Sequence, residues 1–315
     1  MSATAQPLDR RARRQVFLIT VGALALFAVF RWLPTGTNLS HMDFRATGTN
    51  SIEFCDPLNP QFIPVVAVKS PVTMTLVRAD GAVTAPTPGQ ETRFVLTLKT
   101  ASGKPIAPED LIVTHTRLLH LLIIDPWLND YQHVHPEPGA RPGEWTFAFT
   151  PRREGNYRVF ADFTPVATGR GLYASTDVQV GRSGLPAMFT LVMSHELSWV
   201  VEKDGLRCAL VPGAQPVRAR QPVDLKLMLS RADGGRVPLE PVMGAFAHLV
   251  AFDEARSGFA HLHPMETNLL QPPDALKPAL NFKITIPAPG KYVIWAQVNV
   301  GGRETFLPFW FDVEP

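Results

Sequence analysis

Nine histidines occur in the chain, and six of them belong to a pattern written twice. The first copy is Leu119-His120-Leu121-Leu122-Ile123-Ile124-Asp125, a polar turn, then Tyr131-Gln132-His133-Val134-His135-Pro136. The second is Ala247-His248-Leu249-Val250-Ala251-Phe252-Asp253, then Phe259-Ala260-His261-Leu262-His263-Pro264. One offset, 128 positions, relates the first His, the Asp, the aromatic residue, both later His and the Pro of the two copies. Imidazole is the commonest side-chain ligand for transition metals, so a repeated trio of histidines points first to metal binding.

Period-two geometry decides whether a trio can converge. His133 and His135 project from one face of a strand, and a hairpin closed between Asp125 and Asp130 brings His120 opposite or diagonal to them on that face. Directly opposed Cβ atoms lie about 4.5–5.5 Å apart, near enough for the rings to share one ion. The same reading applies to His248, His261 and His263. His115 aligns by the same offset with Met243, which offers a fourth ligand to each copy. His115 lies five positions before His120, an odd offset, so a bulge or loop before Leu118 is required to bring it to the same face. A thioether suits Cu(I) and imidazole suits either copper state, so the expected ion is copper, with zinc as the alternative.

Other chemistry is less well supported. A cupin-type metalloenzyme also uses His-x-His with a nearby carboxylate, here Glu137 or Glu266. Its further His falls on a later strand, whereas here it lies 13 residues upstream in both copies. No Ser-His-Asp or Cys-His arrangement for nucleophilic catalysis stands out. A third class is a structural or interaction module that binds a partner of a membrane complex without metal. His41 and His195 fall outside the repeat and read as ordinary surface residues; Asp125 and Asp253 read as turn residues.

The elements that carry these residues are expected to be strands. Thirty prolines and 22 glycines punctuate the 315 residues, and apolar positions alternate in Phe94, Leu96 and Leu98 and again in Leu225, Leu227 and Leu229. Further strands are expected at 118–124, 144–149, 157–163 and 173–180, and a closing one at 306–313. Gly-x-Tyr precedes a late strand at Tyr157 and at Tyr292, and a longer loop is expected around 269–280. The fold class is all-β: two tandem immunoglobulin/fibronectin-like β-sandwiches, at 71–181 and 186–315, behind one N-terminal transmembrane helix. Residues 34–70, rich in Gly, Asn, Ser and Pro, read as a stalk or linker.

The N-terminus differs in kind. Arg10, Arg11, Arg13 and Arg14 precede an unbroken apolar run from Val16 to Phe30, closed by Arg31 and Trp32. At ~1.5 Å per residue that run is short for a ~30 Å hydrocarbon layer unless its flanks reach the interface. The expected arrangement is a basic cytoplasmic segment at 1–14, an uncleaved anchor at 15–33, and the remainder exported beyond a bacterial inner membrane. Past Leu33 there remain 25 Lys and Arg against 27 Asp and Glu, which leaves no basic stripe for nucleic acid. Cys55 and Cys208 lie in the exported part, where either a disulfide or a free Cys55 thiolate ligand is open.

From about 71 to 315 the chain resembles a family of exported or membrane-anchored bacterial proteins with duplicated immunoglobulin-like modules. The resemblance is carried by the His-Leu-Leu-Ile-Ile strand followed by His-x-His-Pro. It falls on His120, His133, His135 and Pro136 and on His248, His261, His263 and Pro264, while Met243 departs from His115. It implies a periplasmic module with a metal role.

Overall fold

The computed structural model describes residues 9–32, 39–45, 61–68, 70–182 and 195–315. Cys55, Leu33, most of the expected stalk and the expected start of the second module at 186 lie outside the described residues.

One helix, α1 (Arg10–Trp32), opens the chain. Asp9 begins it, its carboxylate accepting the Ala12 N–H at 2.6 Å, which satisfies one of the donors that a helix start leaves free. Because the helix takes in the arginines, it exceeds the apolar run by two turns, and its 23 residues extend about 35 Å. Residues 10–30 are long and apolar enough to cross a membrane.

The first repeat contains β1 (Val72–Arg78), β2 (Thr92–Thr100), β3 (Leu111–Ile112), β4 (Leu119–Ile124), β5 (Tyr131–Val134), β6 (Glu137–Pro138), β7 (Glu144–Phe149), β8 (Gly155–Pro165) and β9 (Leu172–Val180). One sheet runs β1-β2-β7-β6; the other pairs β5 with β4, β4 with β8, and β8 with both β9 and β3. Between them lies a core of Phe94, Leu96, Leu98, Trp145, Tyr157 and their neighbours.

The second repeat contains β10 (Val200–Lys203), β11 (Leu206–Pro212), β12 (Val217–Arg218), β13 (Pro222–Arg231), β14 (Leu239–Glu240), β15 (Ala247–Asp253), β16 (Phe259–Leu262), β17 (Ala279–Thr285), β18 (Gly290–Val300) and β19 (Arg303–Glu314). Its sheets run β10-β11-β13-β17 and β12-β19-β18-β15-β16, and its core gathers Leu225, Leu227, Leu229, Phe282 and Phe309. Two immunoglobulin/fibronectin-like β-sandwiches are therefore present. In each the Gly-x-Tyr hydroxyl bonds back to a residue four positions upstream: Tyr157 accepts the Arg153 N–H at 3.1 Å and Tyr292 donates to the Ala288 carbonyl at 3.0 Å.

Described parts of residues 34–70 are packed and not free-standing. Leu39 and Phe44 bury in the first core, Phe62 in the second, and Ile63 exchanges backbone hydrogen bonds with Phe259 at 2.8 and 3.1 Å. Large apolar residues inside a Gly- and Pro-rich segment account for this, since each finds a sheet edge or core to cover. Cys208 is a free, fully buried residue in the second core, and burial pushes its thiol up to about 12.

β4 and β15 are buried on both faces. Leu119, Leu121 and Ile123 point into the first core, whereas Leu122 and Ile124 join Tyr131, Phe160, Val250, Phe252, Phe259, Val293 and Trp295 in a third cluster between the sandwiches. The cluster has approximate two-fold symmetry. Phe160 meets Phe259 with ring centroids 5.3 Å apart, and its counterpart Trp295 meets Tyr131 at 5.9 Å. Tyr173 meets Phe259 at 5.5 Å, and its counterpart Phe306 meets Tyr131 at 5.7 Å.

Candidate metal centre

In the hairpin β4–β5, Leu122 pairs with His133 and Leu121 with Val134. Continuing that register sets His135 opposite His120. In β15–β16, Val250 pairs with His261 and Leu249 with Leu262, which sets His263 opposite His248. All six rings therefore lie on the parity of Leu122, Ile124 and Val250, the face that each sandwich turns toward the other. His120, His133 and His135 offer ligand atoms within 4.8 Å of one another, and so do His248, His261 and His263.

Hydrogen bonds fix how the rings present themselves. The Nε2–H of His120 donates to the Thr114 carbonyl at 3.0 Å, and that of His248 to the Val242 carbonyl at 2.9 Å. A carbonyl only accepts, so the proton sits on Nε2 and Nδ1 carries a lone pair. The Nδ1–H of His261 donates to Asp162 Oδ2 at 3.1 Å. His133 Nδ1 lies 3.1 Å from Gln297 Oε1, and Gln297 Nε2 donates to Glu304 at 2.8 Å, which orients the amide oxygen toward the imidazole. His133 and His261 therefore also carry their lone pairs on Nε2.

The consequence is two pairs of bare nitrogens face to face: His120 Nδ1 and His133 Nε2 at 3.2 Å, and His248 Nδ1 and His261 Nε2 at 3.2 Å. With the protons held elsewhere these pairs repel unless a cation lies between them. Nitrogens bound about 2.0–2.1 Å from one tetrahedral ion stand about 3.3 Å apart, close to the separation found. The third ring of each trio supplies another candidate ligand, for His135 Nε2 and His263 Nε2 are buried and have no hydrogen-bond partner among the described residues. Donor identity, spacing and tautomer all fit a transition metal in each triad.

Burial holds the imidazoles neutral, the form that ligates. It lowers His115 and His120 below the ordinary value, holds His133, His261 and His263 well below it, and brings His135 to about 3 and His248 to about 4. Neighbouring histidines add to the shift of the last five. Burial raises the Asp162 carboxyl, and His120 and His115 oppose that rise.

The two triads are not separate places on the molecule. Across the interface His133 and His261 have ring centroids 5.2 Å apart, His120 and His261 5.7 Å, and His133 and His248 5.9 Å; within a triad the corresponding spacings run from 4.6 to 5.4 Å. His115 adds a seventh ring, which stacks on His263 of the other sandwich at 3.5 Å and 14°.

His115 and Met243 each occupy a two-residue turn that reverses the chain before the histidine strand. Thr114 exchanges backbone bonds with Arg117, and Val242 with Ala245. The central residues have positive φ: 48° and 69° at His115 and Thr116, 51° and 76° at Met243 and Gly244, as hairpin turns of this length demand. This reversal is the break before Leu118 that strand parity required. The structure sets His115 against the second triad as well as near the first, its ring 6.3 Å from both His120 and His261.

Asp162 and Gln297 are the functional candidates that the sequence reading passes over. Asp162 pairs with His120 on β8 and Gln297 with His248 on β18, so they are equivalent positions. Each interrupts an apolar strand with a polar residue beside the repeated histidine, and aligning Tyr157 with Tyr292 brings the two into register. Glu137 and Glu266 join neither triad: Glu137 pairs with Arg117 at 3.4 Å, and Glu266 accepts from the Asn281 backbone at 3.0 Å and side chain at 2.7 Å. Asp125 and Asp253 each accept backbone N–H groups of the following turn at 2.6 Å. His41 is exposed, and His195 stacks on Trp310 at 3.6 Å and bonds Asn129 at 3.1 Å.

Comparison with known proteins gives one family and a set of distant folds. The family described as Domain of unknown function (DUF8832) matches twice, over residues 72–181 and 200–315. A search of the curated proteins gave no match. Among solved structures, a membrane anchored protein from Corynebacterium diphtheriae is similar at 10% identity and a TM-score of 0.24, covering 77% of this chain and 59% of its own. The Escherichia coli adhesin FdeC is similar at 14% identity and 0.23, covering 77% and 64%. Fibronectin(III)-like modules of Clostridium thermocellum CbhA are similar at 10% identity and 0.20, covering 76% and 94%. The chain thus spans less than two thirds of the first two structures.

Proposed function

The chain belongs to this DUF8832 family in both of its halves, and from the paired histidines that the halves carry we propose that it is a membrane-anchored metal-binding protein of the bacterial periplasm. Its N-terminal arginines stay in the cytoplasm, α1 crosses the inner membrane, and the two sandwiches lie outside. Copper is the ion we assign, with zinc next, because imidazole accepts both and soft Met243 occupies in the second repeat the turn position that His115 holds in the first. Sequestration, delivery or sensing suits three-histidine sites that leave a coordination position open for exchange.

One observation carries the reading. In both triads, backbone and side-chain acceptors take the outer imidazole protons and turn bare nitrogens on each other at 3.2 Å, an arrangement that a cation relieves. A purely structural cluster of buried histidines would let one ring donate to the next.

The test is elemental analysis of the detergent-solubilised full chain after incubation with copper or zinc and desalting. Retained metal that falls in the His133→Ala/His135→Ala variant is expected. A parent protein that holds no metal under either incubation overturns the proposal.

A further inference from the structure

The triads share a wall, yet the groups behind them differ and are exchanged between the sandwiches. His261 of the second triad donates to Asp162, a residue of the first sandwich; His133 of the first triad donates to Gln297, a residue of the second. A carboxylate behind a ligating imidazole makes it a stronger base than an amide oxygen does, and it adds a negative charge to the site that the amide lacks. The residues at the turn tips are exchanged in the same way, since His115 of the first sandwich lies on His263 of the second. The repeat offset carries that pair onto Met243 and His135, which allots the thioether to the first triad.

Resting on the metal reading above, we propose that the two triads form one dinuclear copper centre with unequal sites, each completed by the opposite sandwich. The site of His248, His261 and His263, backed by Asp162 and flanked by His115, takes Cu(II). The site of His120, His133 and His135, backed by the neutral Gln297 and on the side of the soft Met243, takes Cu(I). The softer ion therefore goes to the triad that does not share a module with Met243. The nearest rings of different triads, His133 and His261, stand 5.2 Å apart, inside the 4.6–5.4 Å range found within a triad, so two ions held there sense one another.

The experiment uses the full chain in detergent and titrates copper against competing chelators, Cu(II) in air and Cu(I) under reductant without oxygen, with electron paramagnetic resonance at one and two equivalents of Cu(II). Two ions per chain are expected, with one clearly preferred site for each oxidation state and a broadened spectrum at two equivalents from spin–spin interaction. Asp162→Asn should weaken the preferred Cu(II) site by about 10- to 100-fold, the usual effect of losing such a partner, and leave Cu(I) affinity little changed. Gln297→Glu should raise Cu(II) affinity at the other triad, and Met243→Leu should lower Cu(I) affinity at that same triad. Two ions bound with equal affinity and unmoved by Asp162→Asn and Gln297→Glu would overturn this inference and leave the metal reading standing. A stoichiometry of one also overturns it, and retention of no copper removes both.

Discussion

In the first sandwich His120 and His133 meet at 3.2 Å and Thr114 holds the outer proton of His120; in the second, His248 and His261 meet at 3.2 Å and Val242 holds that of His248. Up to this point the sites are copies. Behind the middle histidine they part: one faces an amide that Glu304 orients, the other a carboxylate. The near geometry is set by hairpin register, which a duplicated sequence preserves without further adjustment. The partner behind the ring stands in the other module and was free to change on its own. Duplication thus supplied two equal sites, and the interface made them unequal.

Acid should have the largest effect on this arrangement, and on both sites together. The cluster's histidines are held below their ordinary pKa by burial, His135 at about 3 and His248 at about 4. In the unfolded chain they titrate near 6.5, so below that value the unfolded state binds more protons and stability falls with falling pH. Each histidine that stays neutral costs about 1.4 kcal/mol per pH unit below 6.5, until the pH reaches its folded value. Urea unfolding of the metal-free protein at pH 7.5, 6.5, 5.5 and 4.5 should show little change over the first step and steep loss over the next two. A flat profile would mean that the rings are hydrated and that the sandwiches do not enclose them.

Phe160→Ala separates interface from core. Phe160 is fully buried between the sandwiches, against Phe252 at 6.0 Å and Phe259 at 5.3 Å. Loss of that ring should cost about 3–5 kcal/mol. Because Asp162 and Gln297 reach their histidines only while the modules are docked, it should also weaken metal retention at both triads. Phe94→Ala empties a site of similar size wholly within the first core, between Phe147 and Phe149, and should cost stability with less effect on metal. Equal loss of metal in the two variants would show that the interface has no special part in the centre.

Much of this was legible in the residues. The repeat offset and the His-x-His parity placed six rings on one face of two hairpins, and alternation in Phe94, Leu96 and Leu98 marked the core strands. What stayed hidden was where that face points. Alternation predicts a strand with one wet side, yet Leu121 to Ile124 and Leu249 to Phe252 do not alternate, and an apolar run of that kind is also how a strand covered on both faces reads. The second covering is the other module, and contacts between modules leave no local periodicity. Asp162 and Gln297 were hidden for the same reason, since each serves a histidine about a hundred or more positions away in sequence. Leu39, Phe44 and Phe62 were submerged in a composition typical of linkers, where a few large apolar side chains do not outweigh many small and polar ones.

The two tyrosine corners offer a smaller contrast between the modules. Tyr157 donates to Asp130, a fully buried carboxylate, at 2.7 Å, whereas Tyr292 donates to a backbone carbonyl at 3.0 Å. Hydrogen bonds to charged groups contribute about 1.5–3 kcal/mol and neutral ones about 0.5–1.5, so Tyr157→Phe should destabilise more than Tyr292→Phe. The difference is read from urea midpoints of the two variants. Equal shifts would show that the Arg152 backbone N–H, which Asp130 accepts at 2.8 Å, and the adjacent Arg152 guanidinium satisfy that carboxylate without the tyrosine.

The smallest expected effect lies in the turns that carry His115 and Met243. Thr116 holds a φ of 69° and Gly244 one of 76° at the same turn position. A β-branched residue in that region is strained by about 1–2 kcal/mol, whereas glycine adopts it freely at an entropic cost of about 0.5–1. Thr116→Gly should therefore stabilise the first module slightly, by less than about 1.5 kcal/mol. The reverse change is not symmetric. A Cβ on Gly244 would lie 3.2 Å from Thr116 Cγ2, so Gly244→Ala adds crowding between the turns to the backbone strain. In the Thr116→Gly background that contact is gone, and Gly244→Ala should cost less than it does in the parent. A double-mutant cycle on urea midpoints measures the difference, and strictly additive effects would mean that the two turns do not bear on each other.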